Sequence, residues 1–201
     1  MPVLAKNRTR LVLKPGARGL YMNTDLLAPL RQHGGIMFPL QPDVIYSQSV
    51  SYSPYDMAHT NYTYNAYRNT PSPDIQLTCQ FASVTDEEAR YTFAVLHFLR
   101  SITKMFFGKN QTQPVAGTPP PVLEFSAFGP NQFNMIPVVV SQFSTTYDSN
   151  VDLKLIDGST QIPTMMNIFM QLTVMQNPDR QKNTFTTNSF ISGQAYKQGF
   201  I

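Results

Sequence analysis

Apolar and polar residues alternate along much of this chain, and a period of two is typical of β-strands with one buried face. The clearest stretch is residues 75–81, whose apolar positions are Ile75, Leu77, Cys79 and Phe81. Residues 44–52 show the same alternation earlier in the chain, with an apolar face formed by Val44, Tyr46, Val50 and Tyr52. These two strands and the segment between them predict an elongated hairpin.

Further strands are predicted before and after this hairpin. Residues 8–13 predict a short edge strand, and Thr24 and Asp25 begin a short helical turn. Beyond the hairpin, the strand candidates are 122–128, 136–143, a strand near 151–155 that turns at Asp157 and Gly158, and 166–174. The residues after 176 are polar with scattered aromatic side chains, and they resemble a second arm more than part of a core.

One segment has the pattern of a long helix. The hydroxyl of Thr85 can cap a free amide, and Glu88 can reciprocate three residues later, which makes a capping box. Apolar side chains then recur at spacings of three and four, as on a helix that covers a sheet: Tyr91, Val95, Phe98, Ile102 and Met105. We expect the helix to end at Gly108, after about 22 residues and about 33 Å. The predicted fold class is therefore mainly β with one packed α-helix.

Between the two hairpin strands, residues 53–68 carry many tyrosines and few charges. Tyrosine provides a large contact area and a hydroxyl for hydrogen bonding, so it is enriched in protein interfaces. The segment predicts an arm that contacts a partner; the alternative is a hairpin folded back on the protein's own core. The candidate inter-subunit residues in the arm are Tyr55, His59, Tyr62, Tyr64 and Tyr67.

The low content of charged residues also favours assembly. Charged residues make up 13% of the 201 residues, against about 25% in an average soluble domain. A freely diffusing monomer generally depends on interspersed surface charges for solubility. A surface of uncharged polar groups therefore suits a permanent assembly, and the length fits a single domain with one core.

The cations are concentrated near the amino terminus, where five of them precede the first acid: Lys6, Arg8, Arg10, Lys14 and Arg18. Such a basic arm can contact phosphates or an acidic neighbouring subunit; the alternative is a solvated terminus. No helix-turn-helix, zinc finger or basic helix is visible in the sequence. Sequence-specific readout of DNA is therefore not expected.

Two further cations, Arg100 and Lys104, lie four residues apart at the end of the predicted helix. They oppose the negative end of the helix dipole, which accounts for them without any partner. If they have a function, they dock an acidic neighbour. They complete the set of candidate interface residues.

The sequence does not indicate catalysis, a cofactor or a metal site. His33, His59 and His97 are far apart, and none has a metal-ligand spacing with an acid or a cysteine. Cys79 is the only cysteine, so no intrachain disulfide can form. No Gly-x-Ser-x-Gly motif or glycine-rich phosphate loop is present. Without a signal-peptide pattern or an apolar stretch near the roughly 20 residues that cross a bilayer, we expect synthesis in a reducing cytoplasm.

Several short segments occur in an order that resembles the small tail and baseplate proteins of contractile-tailed bacteriophages. They are His59-Thr60-Asn61-Tyr62, Phe98-Leu99-Arg100-Ser101, Thr103-Lys104-Met105-Phe106-Phe107-Gly108 and Gly117-Thr118-Pro119-Pro120-Pro121-Val122-Leu123. The Gly-Thr-Pro turn is also similar to that of tube proteins from contractile injection systems. The resemblance covers roughly residues 36–200.

This resemblance implies the tail-tube fold, a β-sandwich or barrel with a flanking helix and a long hairpin arm. In that family the subunits form a homohexameric ring, the inner strands continue from subunit to subunit, and the hairpin grips the adjacent ring. DNA passes through the lumen without sequence-specific contact. The implied organisation is a basic N-terminal arm and turn (1–35), a tail-tube-like domain (36–175) and a C-terminal extension (176–201).

The function implied by the resemblance is that of a virion structural protein. It would form a ring of the tail tube or baseplate, as a tube initiator or hub-proximal ring that templates tube assembly and lines the DNA channel. Its neighbours would be tail-tube, hub and sheath or wedge proteins, and the chain would be made in the host cytoplasm.

Two other functions remain open from the residues alone. A single-stranded nucleic-acid-binding module would use the basic N-terminal arm, with the arm tyrosines stacking on bases. A hydrolase built on a β-barrel would need His59 or His97 beside an acid and a nucleophile in one cleft. The sequence groups no such residues.

Overall fold

The computed structural model describes residues 8–108 and 116–201. The strands in these ranges are β1 (Arg10–Leu13), β2 (Gly35–Met37), β3 (Asp43–Ser47), β4 (Ser51–Tyr55), β5 (Tyr64–Asn69), β6 (Asp74–Ala82), β7 (Leu123–Ala127), β8 (Phe133–Thr146), β9 (Leu153–Ile156), β10 (Thr160–Pro163) and β11 (Met165–Val174). The helices are α1 (Pro15–Tyr21), α2 (Ala28–Arg31), α3 (Asp86–Ile102), α4 (Pro178–Thr184), α5 (Thr187–Ile191) and α6 (Gln194–Lys197), with a 3-10 turn at Asp25–Leu27. The protein is mainly β, as predicted.

Seven strands form one antiparallel sheet in the order β2-β1-β7-β8-β11-β6-β3. Two ribbons, β4–β5 and β9–β10, are separate from it. The predicted strands at 75–81, 122–128, 136–143 and 166–174 are confirmed as β6, β7, β8 and β11 of this sheet. The strand predicted near 151–155 is β9, in one of the ribbons.

The prediction of an edge strand at residues 8–13 is wrong, because β1 pairs with β2 on one side and with β7 on the other. Strand β2 has 3 residues, too few for an alternation to be recognised. It approaches β1 closely at Gly35, where an added Cβ would lie 2.3 Å from the carbonyl oxygen of Leu11. Glycine permits this approach, and β1 thereby becomes an interior strand.

The sheet is curved. Its two end strands, β2 and β3, follow each other in the chain and are joined by residues 38–42. In a flat sheet, the strand spacing of about 4.8 Å would place these ends about 29 Å apart, whereas the connection from Met37 to Asp43 reaches about 21 Å at most. The ends therefore curl toward each other. No ladder joins them among the described residues, so a closed barrel is not found.

Helix α3 packs on the apolar face of the sheet. Side chains from both form one buried cluster, which includes Val95, Phe98, Leu99 and Ile102 of the helix and Leu77, Phe81, Phe125 and Ile168 of the sheet. The hydroxyl of Tyr91 also ties the helix to β2, because it donates to the carbonyl oxygen of Met37 at 2.6 Å and accepts from the amide of Met37 at 2.9 Å. The predicted packed helix is therefore confirmed.

The predicted capping box at the start of α3 is confirmed. The amide of Glu88 donates to the hydroxyl oxygen of Thr85 at 3.2 Å, and the carboxylate of Glu88 accepts from the amide of Thr85 at 3.0 Å. These reciprocal bonds satisfy amides that a helix start would otherwise leave without a partner.

The end of α3 differs from the prediction. The helix has 17 residues and ends at Ile102, before Gly108. The hydroxyl of Thr103 donates to the carbonyl oxygen of Leu99 at 3.0 Å, so a side chain takes the place of the next backbone bond. Met105, which was expected in the apolar stripe, is 49% exposed.

The main sheet crosses the predicted boundary at residue 35. Strand β1 contributes Leu11 and Leu13 to the core, and both side chains are fully buried. Leu27 and Leu30, from the 3-10 turn and α2, join the same cluster. The described part of the N-terminal segment is thus continuous with the rest of the fold.

The last residues also differ from the prediction of a second arm. Helices α4 to α6 fold back, with Ala195 fully buried and Phe200 only 4% exposed. The side-chain amide of Asn134 in β8 donates to the carbonyl oxygen of Lys197 at 2.9 Å. Helices of 7, 5 and 4 residues give too short an apolar stripe to be recognised in a sequence.

Candidate assembly surface

The predicted elongated hairpin is present as two pairs of strands that follow each other in space, β3–β6 and β4–β5. Strands β3 and β6 pair within the main sheet, and the chain continues beyond them into the separate ribbon β4–β5. The strand predicted at residues 44–52 is thus divided into β3 and β4. Pro71 and Pro73 lie on the return path, and the pairing stops there because proline has no amide to donate to a ladder.

Ribbon β4–β5 carries two cross-strand tyrosine pairs, Tyr52 opposite Tyr67 and Tyr55 opposite Tyr64. Side chains alternate along a strand, so Tyr52 and Tyr55 point to opposite faces. Each face of the ribbon therefore presents one pair of rings. The rings of Tyr52 and Tyr67 are in edge-to-face contact, with centroids 6.2 Å apart.

The ribbon is exposed on both faces. Tyr55 is 63% exposed, Tyr64 55% and Tyr67 62%. No strand within the described ranges pairs with the outer edges of β4 or β5. A two-stranded ribbon is marginally stable alone in water, and open edges can pair with another chain. The alternative in which this hairpin folds back on the core is therefore not the arrangement observed.

The tip of the ribbon, residues 56–63, holds the two remaining candidate residues of the arm. His59 adopts a left-handed φ of 64°, which is uncommon for a residue other than glycine. The hydroxyl of Thr60 donates to the carbonyl oxygen of Met57 at 2.9 Å and closes the turn. Tyr62 is 83% exposed. The structure thus places all five candidate arm residues on one projecting ribbon.

Arg100 and Lys104 are not part of this surface. They line a cleft of about 530 Å³ between α3 and the segment that contains α1 and the 3-10 turn. None of the arm residues lines that cleft. The candidate interface residues therefore form two separate groups, the arm and the cleft.

A third feature was only partly visible in the sequence. The outward face of β8, β11 and β6 is polar and continues across the three strands in rows of directly paired residues: Gln142, Gln171 and Gln76; Ser144, Phe169 and Thr78; Thr146, Asn167 and Gln80. These rows contain no charged residue, but the next row along the same face contains Asp74 of β6, opposite Thr173 of β11. The face therefore carries no lysine or arginine on these three strands, and Asp74 is its one charged residue there. The alternation along β6 indicated a wet face, but the pairing that extends this face to β8 and β11 depends on long-range register.

The described residues contain no group of three or more histidine, cysteine, aspartate or glutamate side chains placed to hold a metal ion. Burial raises the pKa of the Cys79 thiol to about 12, so the reactive thiolate is scarce at neutral pH. His59 lies at the arm tip and His97 on α3.

No helix in residues 8–108 and 116–201 has the length and apolar character needed to span a bilayer.

No family model matches this sequence, and a search among curated proteins finds no match. The functional interpretation therefore depends on the arm, the open ends of the curved sheet and its polar face without lysine or arginine.

Proposed function

We propose that this protein is a structural subunit of a contractile bacteriophage tail. It forms a ring of the tail tube or baseplate, as a tube initiator or hub-proximal ring, and it has no catalytic role. The observation that carries this proposal is the arm β4–β5, a tyrosine-rich ribbon whose two faces are exposed and whose outer edges pair with no strand in the described ranges. Such a ribbon is stabilised when it contacts another subunit.

The arm sets the contact between stacked rings. Its paired rings give a large apolar area, and each hydroxyl can find a hydrogen-bond partner at the rim of an interface. One such hydrogen bond exists within the chain, because the hydroxyl of Tyr67 lies 3.0 Å from that of Thr70. The uncovered faces of the ribbon would become buried when the arm docks on the adjacent ring.

The ends of the curved sheet set the contact within a ring. Strand β3 ends the sheet, and Ile45 on this strand is 60% exposed. Pairing of β3 with the opposite end of the next copy's sheet removes both open edges. Because this contact uses two different surfaces, it closes into a ring when the rotation between copies allows. The sixfold order of the ring is taken from the resemblance to tail-tube proteins.

The polar face of β6, β8 and β11, which carries no lysine or arginine, suits the wall of a DNA channel. Lysine and arginine bind phosphates and would hold a moving duplex in place. The rows of Gln, Thr, Ser and Asn side chains offer no such cations. In the proposed ring this face lines the lumen, and genomic DNA passes without sequence-specific contact.

Ultracentrifugation and electron microscopy of the purified chain test this function. The chain is examined alone and together with tail-tube, hub and sheath or wedge proteins. We expect closed rings, and stacks of rings when the neighbours are present. A single compact particle under all of these conditions contradicts the proposal.

A second function is favoured by one specific observation. Arg8 and Arg10 line a cleft of about 330 Å³ together with Phe133 and Asn134, and no carboxylate is among its lining residues. Guanidinium groups bind phosphate, and aromatic rings stack on unpaired bases. A single-stranded nucleic-acid-binding module would show a salt-sensitive mobility shift with short oligonucleotides, and that shift would be lost in Arg8→Glu with Arg10→Glu.

A further inference from the structure

The cleft at the C-terminal end of α3 is lined by both apolar and cationic side chains. The apolar side chains that line it are Leu20, Leu27, Met105 and Phe106. The cationic and titratable side chains that line it are His97, Arg100 and Lys104. No acidic residue is among its lining residues, so the cleft suits a carboxylate that is flanked by an apolar side chain.

The two cations of this cleft lack an acidic partner among the residues that the structure describes. Other cations in these ranges do have one, in the pairs Arg31–Asp25, Arg90–Asp157 and Lys154–Asp86. The negative end of the α3 dipole favours Arg100 and Lys104 at this position. It does not neutralise two full charges, and both side chains remain exposed.

The opposite end of the same helix is acidic. Asp86 pairs with Lys154 at 2.9 Å, and Glu88 forms the capping box. Glu87 is exposed and has no ion pair or side-chain hydrogen bond within the described ranges. Val84, three residues earlier, is 71% exposed. This end of α3 therefore presents a free carboxylate beside an exposed apolar side chain.

We propose that Glu87 of one copy binds between Arg100 and Lys104 of the next copy, so that copies associate head to tail along α3. The helix has 17 residues and is about 25 Å long, so its two ends serve different neighbours. Val84 packs on the apolar side chains that line the cleft. The positive N-terminal end of one helix faces the negative C-terminal end of the next, which adds to the attraction.

This inference rests on the proposed function, because it identifies a contact through which copies assemble. A head-to-tail contact uses two different surfaces and therefore closes into a ring or continues as a stack. The chain itself supplies both halves of the charge match. A second copy is for that reason the occupant that the structure favours over an acidic segment of another protein.

A charge-swap experiment on the full chain tests the contact. Arg100→Glu and Glu87→Arg are made separately and together in one chain, and association is measured by sedimentation. We expect each single reversal to weaken association about tenfold or more, because it places like charges together. The double variant restores the attraction with reversed signs. Wild-type association is also expected to weaken with added salt, since exposed charges are screened.

Two matched control variants each reverse one charge of the same kind outside the proposed contact. Asp148→Arg reverses an exposed acid, and Lys182→Glu reverses a cation in the last turn of α4. Both are expected to associate like the wild type. Circular dichroism checks that all variants remain folded.

The outcomes separate this inference from the proposed function. Association of both single reversals at wild-type strength overturns the contact while the ring proposal stands. A loss in Arg100→Glu alone, with Glu87→Arg unaffected, also overturns it and assigns the cleft to a different acidic group of the next copy. A wild-type chain that stays monomeric at every concentration, alone or with its neighbours, overturns both.

Discussion

Tyr91 joins α3 to the short strand β2 through one hydroxyl group. In Tyr91→Phe, the amide and the carbonyl oxygen of Met37 lose the partner that they have at 2.9 and 2.6 Å. A backbone group left without a partner away from water costs about 1–3 kcal/mol. We expect the free energy of unfolding in urea to fall by that amount.

The control for this prediction is Tyr62→Phe. It removes the same hydroxyl from a ring that is 83% exposed, so the free energy of unfolding should change by less than about 0.5 kcal/mol. Equal losses in the two variants would show that the bonds to Met37 have no special role.

Glu88 makes the stability of the start of α3 depend on pH. The amide of Thr85 donates to its carboxylate, and this hydrogen bond lowers the pKa of Glu88 below its usual value of 4.5. Because the folded pKa is the lower one, the stabilisation is present above the unfolded value and is lost as the pH falls through the folded value. We expect the wild type to lose stability below about pH 4.5 more steeply than Glu88→Gln, as measured by urea unfolding. Parallel curves for the two proteins would exclude this role.

Elements with a regular pattern and enough length were predictable from the sequence. The alternation at 75–81 and the capping box at Thr85 depend on near neighbours in the chain, and both are observed. Strand β2 has 3 residues, and its position beside β1 depends on a close approach at Gly35. The helices after residue 177 are similarly short, so their apolar residues could not be distinguished from those of an arm.

The candidate surfaces could likewise be predicted only where their residues are close together in the sequence. The tyrosines of the arm are close in sequence, and a hairpin brings them together in any register. The cleft beside Arg100 also requires Leu20 and Leu27, which are placed by tertiary packing. The amino-acid sequence contains no local signal for that packing.

At the scale of the elements, we expect the core to stay folded when ribbon β4–β5 is lost. No residue between Ser47 and Asp74 belongs to the buried core. Deletion of Asp56 to Tyr67 removes the tip and most of β5, and we expect the thermal unfolding temperature to remain close to that of the wild type. Stacking of rings, observed by electron microscopy, should be abolished. Unchanged stacking would exclude the arm as the contact between rings.

A milder variant separates the tyrosine rings from the length of the ribbon. Tyr55→Ser with Tyr64→Ser removes the pair from one face and keeps the strands. Stacking should weaken strongly, while rings still form. Tyr147→Ser is the matched control, because Tyr147 is 52% exposed and lies outside the arm.

At the scale of the whole molecule, the curved sheet places two open ends on one chain. The ends β2 and β3 are separated by residues 38–42 in sequence, yet no ladder joins them in the described ranges. The same sheet buries one face under α3 and leaves exposed the opposite face of β6, β8 and β11, which has no lysine or arginine. A ring of copies would satisfy the open ends and enclose this cation-free face.

A substitution in β3 tests the contact within a ring separately from the stacking of rings. In Ile45→Lys, a charge replaces an apolar side chain that is 60% exposed on the end strand, and lysine on an edge strand opposes pairing with another chain. We expect the free energy of unfolding to change by less than about 0.5 kcal/mol and the rings to be lost in electron micrographs. Ile191→Lys, at a side chain that is 78% exposed on α5, should leave the rings intact. Because the arm is unaltered in Ile45→Lys, persistence of closed rings in that variant would place the contact within a ring away from β3.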